Sequence, residues 1–120
     1  MKNILLVGFG GAIGSVLRFL ISSAIALKAF PAATFAINVV GSLLIGLVMG
    51  WTAKNEMLAN NWKLFLGTGL CGGFTTFSSF SFENLLLLQQ GKYLFTLAYV
   101  IGSFTLGIAA AFLGYKISNT

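Results

Sequence analysis

Four apolar segments, very little charge, and a glycine pair followed by hydroxyls inside the third segment predict an all-α membrane protein. Its four transmembrane helices span about residues 4–27, 34–53, 62–90 and 93–115, the third is broken near Gly72-Gly73, and one domain covers residues 1–120. Hydrophobic residues make up 58% of the 120 and charged residues 8%. A soluble domain carries about a quarter charged residues. A water-facing surface has no place for that much apolar area, so the chain reads as a multi-pass membrane protein.

Composition also excludes several classes. Two acids, Glu56 and Glu83, and no histidine leave little for general acid–base chemistry. Cys71 has neither a histidine to activate it nor a second cysteine to pair with, and reads as a small packing residue. The chain is therefore not expected to be an enzyme. The net charge of +5 comes from Lys and Arg residues set singly at segment ends. They suit interfacial anchors and form no patch with interleaved aromatics for nucleic acid.

The first segment contains two decoys. Lys2 followed by an apolar run and Ala24-Ile25-Ala26 imitates a signal peptide, but the run is too long and Arg18 interrupts it. Gly8-Phe9-Gly10-Gly11 imitates a dinucleotide loop, but position 13 is Ile13 and the first acid is Glu56. What remains is a membrane helix with Gly10 and Gly14 at small-xxx-small spacing, which permits close helix approach. Arg18 either faces water or a partner, because a buried charge is costly in lipid, or snorkels to the interface near Lys28.

Lys28 to Pro31 makes the first turn. In the second segment Thr34 and Asn38 lie one helical turn apart on one face. An asparagine in lipid must be hydrogen-bonded; it glues helices together or offers its amide to an anion. Gly41, Gly46 and Gly50 supply a close-packing face. Lys54 to Asn61 is a polar loop flanked by Trp51 and Trp62, as interfacial anchors. The third segment, about 43 Å as one helix, exceeds the roughly 30 Å hydrocarbon core, which suits a break. Gly91-Lys92 turns the chain into the fourth segment, where Tyr99 and Ser103 share a face.

Gly72 to Glu83 carries the densest chemistry. A helix break frees backbone groups that must find partners in a membrane, and such irregular backbone lines cavities or ion sites. Phe74, Phe77 and Phe80 recur every three residues among Thr75, Thr76, Ser78, Ser79 and Ser81. At that spacing the phenylalanines also suit plain packing. An anion site wants N–H, O–H and the positive edges of rings, and this mixture points to a small anion without naming it.

Four spans put both termini on one side. Lys2, Lys54, Lys63 and Lys116 lie on that side, against Arg18, Lys28 and Lys92 on the other. So even a split gives almost no positive-inside bias. The chain is expected to insert both ways round and to form a dual-topology antiparallel homodimer.

The run Gly72-Gly73-Phe74-Thr75-Thr76-Phe77-Ser78-Ser79-Phe80-Ser81-Phe82-Glu83 closely resembles the signature of the Fluc (CrcB) fluoride channels. The glycine-rich start with Arg18, the step Asn38-Val39-Val40-Gly41 and the pair Tyr99 and Ser103 resemble the family too. The resemblance implies a bacterial-type inner-membrane channel that exports fluoride from the cytoplasm by passive electrodiffusion, through two pores per antiparallel dimer. It implies that Phe77 and Phe80 turn ring edges toward fluoride and that Asn38 donates its amide. Thr34, Ser79, Tyr99 and Ser103 would contact the path, Arg18 would stand at its entrance, and Glu83 would lie near the pore. The carbonyls of Gly72 and Thr75 from both subunits would hold a structural Na⁺. The family's polar track runs further along the fourth segment, where this chain has Gly107 and Ala111.

Two other classes compete. A small proton-coupled multidrug-type exporter resembles its relatives in using a glutamate in the first span; here the first span has none. A pore-forming holin has no use for the Thr-Thr-Phe-Ser run.

Overall fold

The computed structural model describes residues 1–25 and 31–120. The predicted first turn, with Lys28, and the end of the first span at residue 27 lie outside the described residues. Everything regular within them is helical: α1 (Lys2–Ala24), α2 (Ala32–Thr52), α3 (Glu56–Trp62), a π-helical stretch (Lys63–Cys71), α4 (Gly72–Phe74), α5 (Phe77–Gln89) and α6 (Tyr93–Ser118). The helices α1, α2 and α6 are each long and apolar enough to cross a membrane. The third predicted segment is present in pieces, from α3 to α5.

The polar loop expected over Lys54 to Asn61 is much shorter. Helix α3 already starts at Glu56, whose carboxylate stands in the first turn, where the exposed N–H groups favour negative charge. Ala59, Met57 and Leu58 are good helix formers, and propensity carries the helix through polar neighbours. Trp51 and Trp62 pack edge to face across the turn, centroids 6.1 Å apart.

The break also differs in detail from its prediction. Gly72 and Gly73 are helical, and the chain opens just beyond them. Thr75 (φ −80°, ψ 158°) and Thr76 (φ −148°, ψ 121°) are extended. Two β-branched residues in succession suit extended backbone better than helix. The glycines instead serve contact. A Cβ on Gly14 would strike the Leu70 carbonyl, and one on Gly73 would meet the backbone of Gly11. Gly69 lies so close to α1 that its added Cβ would be 3.0 Å from the Gly10 Cα. Thus α1 lies directly on the π-helical stretch and α4.

Helices α2 and α6 form the second close pair. A Cβ on Gly46 would strike the Ala111 carbonyl, and one on Gly114 the Leu43 carbonyl. Small residues let backbones meet where lipid provides no hydrophobic drive for association. The turn at Gly91-Lys92 ends α5 in a Schellman motif. Gly91 has φ +74°, its N–H donates to the Leu88 carbonyl, and the Lys92 N–H donates to the Leu87 carbonyl.

The outer faces are apolar. Ile4, Phe9, Phe19, Leu97 and Ile108 are each more than half exposed. Water would penalise such a surface; acyl chains or a partner helix would not.

Candidate functional site

The break between α4 and α5 is held from α2. Asn38 stands one helical turn beyond Thr34 on α2, and its carboxamide reads the Thr76 backbone as a neighbouring strand would. Oδ1 accepts from the Thr76 N–H at 2.9 Å, and Nδ2 donates to the Thr76 carbonyl at 3.1 Å. The hydroxyl of Thr76 then caps α5 by accepting from the Ser79 N–H at 3.2 Å. Thr75 folds its hydroxyl back onto the Cys71 carbonyl at 2.9 Å.

These bonds redirect the helix ladder. In a continuous helix the Thr76 N–H would donate to Gly72 and the Ser79 N–H to Thr75. Both donors are engaged elsewhere, one by Asn38 and one by the Thr76 side chain, so the carbonyls of Gly72 and Thr75 lose their ladder partners. Arg18 satisfies the carbonyl between them in sequence: its Nε donates to Gly73 at 3.2 Å. Of the two readings of Arg18, the structure selects the partner. A cation at the C-terminal end of a helix also meets the negative pole of its dipole.

Beside the break lies an open groove of about 510 Å³, lined among others by Asn38, Ser42, Phe77, Phe80, Ser103 and Phe104. The Ser103 Oγ is buried and has no hydrogen-bond partner among the described residues. Phe77, at the first turn of α5, is 72% exposed, whereas Phe80 is 7% exposed. Their centroids are 6.0 Å apart, and Phe80 meets Phe104 edge to face at 6.1 Å. No acidic side chain among the described residues lines the groove. The lining thus combines an amide, hydroxyls and aromatic rings with apolar walls, and N–H groups, O–H groups and ring edges are the parts of such groups that carry positive partial charge.

A second cluster abuts the groove through Phe80. The Glu83 carboxylate accepts from Thr34 Oγ1 at 2.7 Å and from Tyr99 OH at 2.8 Å. Tyr99 is 2% exposed and packs on Phe80 with centroids 5.0 Å apart. Thus Asn38, Phe77, Phe80 and Ser103 come together at the groove, whereas Thr34, Tyr99 and Glu83 form the cluster behind it. Ser79 contributes its N–H to the α5 cap, and Arg18, which does not line the groove, bonds the break through the Gly73 carbonyl.

Two contributors were assigned no individual role from the sequence. Thr76 caps α5, and its place immediately before the apolar run that starts at Phe77 was the available signal. Phe104 looked like any lipid-facing residue of α6, and nothing in the spacing distinguished it.

The fold and its interrupted third segment define a helical multi-pass membrane protein with a polar-dotted groove at a discontinuous helix. The chain belongs to the CrcB family: the family model described as CrcB-like protein, Camphor Resistance (CrcB), matches residues 5–115. A protein of Azobacteroides pseudotrichonymphae is 48% identical, covering 99% of this chain and 98% of its own. One of Oceanobacillus iheyensis is 44% identical over 98% of this chain and 92% of its own. A third, of Flavobacterium psychrophilum, is 45% identical over 99% and 98%. All three are named fluoride-specific ion channel FluC. Ion channels are not enzymes, and a multi-pass helical member of this bacterial family is a protein of the inner membrane.

Proposed function

We propose that this chain forms a fluoride channel, exporting the ion passively, as an antiparallel dual-topology homodimer with two pores. The observation that carries the reading is the groove, whose lining brings together the Asn38 amide, the rings of Phe77 and Phe80, and the Ser103 hydroxyl, which has no hydrogen-bond partner among the described residues. A fluoride ion sheds part of its strong hydration shell only where donors replace it. Asn38 spends one amide N–H on Thr76 and keeps the second. The fixed Thr76 contact holds that second N–H in place, so it costs little reorganisation when the ion arrives. Ser103 adds a hydroxyl, and the apolar walls disfavour larger water-clad passengers.

In this reading Thr34 and Tyr99 act through Glu83 on the far side of Phe80 and do not contact the ion while bound to the carboxylate. Arg18 and Ser79 shape the break. The names of the relatives and the near-even split of basic residues support the ion and the dual topology respectively.

A structural Na⁺ at the dimer centre belongs to the same reading. The donor chemistry fits: Gly72 and Thr75 both present carbonyl oxygens without ladder partners, and hard cations take such ligands. Two carbonyls from each subunit would hold the ion and pin the two breaks together.

Fluoride efflux from proteoliposomes carrying Asn38→Ala tests the groove. Flux is expected to fall by more than tenfold in saturating sodium, with the dimer intact by crosslinking. Wild-type flux from the assembled variant would remove the groove from the account.

A further inference from the structure

We infer that Asn38 is a positioning residue for the cation site: it holds the Gly72 carbonyl available by keeping the Thr76 N–H away from it. The inference rests on the sodium reading above and extends it to a residue that would not touch the ion.

The geometry is specific. The Thr76 N–H is the natural ladder donor to Gly72. It donates to Asn38 Oδ1 at 2.9 Å, and the Thr76 carbonyl accepts from Asn38 Nδ2 at 3.1 Å. The two bonds together fix the orientation of Thr76 as extended backbone. The Thr76 side chain completes the arrangement on the other carbonyl, because its hydroxyl takes the Ser79 N–H at 3.2 Å and so releases Thr75. Asn38 and Thr76 both line the groove as well. One pair of side chains thus serves the ion path with one set of atoms and the cation ligands with another.

Without Asn38, the Thr76 N–H would sit in an apolar region with no acceptor, which is costly. The nearest remedy is to resume the helix and bond Gly72. That rearrangement would withdraw one cation ligand from each subunit. Linkage requires the converse: an ion on Gly72 favours the extended Thr76 that Asn38 clamps. Occupation of the central site and the shape of the groove are therefore coupled through Asn38.

The test is thermal unfolding of the purified protein while sodium is titrated against N-methyl-D-glucamine at constant ionic strength. For the wild type the unfolding temperature should rise with sodium and saturate. In Asn38→Ala the half-saturating sodium should rise about tenfold or more, the weight of one well-placed hydrogen bond. Asn38→Asp keeps an acceptor for the Thr76 N–H but loses the donor to the Thr76 carbonyl, so its half-saturating sodium should rise less than that of Asn38→Ala. A plain packing defect would lower the unfolding temperature of both variants without moving the half-saturation.

Equal half-saturation in wild type and Asn38→Ala would overturn the inference and leave the sodium reading standing. A wild type that ignores sodium would sink the sodium reading and this inference with it. If Asn38→Ala yields no folded protein, Asn38→Leu decides, since it fills a similar volume without an acceptor for the Thr76 N–H: a raised half-saturating sodium upholds the inference and an unchanged one overturns it.

Discussion

Glu83 is the acid at the heart of the buried polar cluster, and its company explains how a carboxylate sits at membrane depth. Thr34 and Tyr99 both donate to it, one to each oxygen. Removing the carboxylate leaves two hydroxyls in an apolar region, each costing about 1–3 kcal/mol. Glu83→Ala should therefore lower the unfolding temperature in detergent clearly more than Glu83→Gln, which retains one acceptor and adds a donor. Equal losses would mean that the cluster contributes little. The sequence made Thr34, Asn38, Tyr99, Ser103 and Glu83 legible as unusual, because each is a polar group in an apolar segment. It could not say who pairs with whom. Asn38 had two plausible uses, glue and ion donor, and its carboxamide has enough groups for both: one N–H and the oxygen bind Thr76 and one N–H remains.

Among the helices, glycine decides contact. Gly46 and Gly114 let α2 and α6 meet backbone to backbone, and Gly10, Gly14 and Gly73 do the same between α1 and the third segment. These sites are sharply different from Gly107, where an added Cβ would lie 3.5 Å from Ser42 Oγ in ordinary contact. Gly46→Ala should cost about 1–3 kcal/mol as overpacking against backbone, whereas Gly107→Ala should be nearly neutral. Unfolding in detergent compares the two directly, and similar losses would contradict the assigned contacts. The small-xxx-small pattern announced the close approach in the sequence. The position of the break was harder to read. Gly72-Gly73 signalled a weak helix, but the extended residues are Thr75 and Thr76. The two β-branched threonines favour that conformation, but what holds it is Asn38, 38 residues away from Thr76, and local sequence does not report a partner so distant. The early start of α3 was missed for the opposite reason: local helix propensity prevailed over a polar composition that suggested a loop.

At the scale of the whole molecule, many large apolar side chains among the described residues face outward, while Asn38, Thr76, Thr34, Tyr99 and Glu83 pair with one another at the break and in the cluster behind it. The apolar excess of the chain was visible in its composition, and the long apolar helices α1, α2 and α6 were visible as segments. The groove was not, since it needs α2, α5 and α6 together. Its chemistry favours a small anion, membership of the CrcB family narrows the candidates, and the relatives' names supply fluoride. The most direct measurement is anion efflux from proteoliposomes at low protein density, comparing fluoride with chloride while following pH. The account predicts rapid electrogenic loss of fluoride, retention of chloride, and no need for an imposed proton gradient. Equal loss of the two anions, or fluoride movement only when a proton gradient drives it, would contradict a selective passive channel.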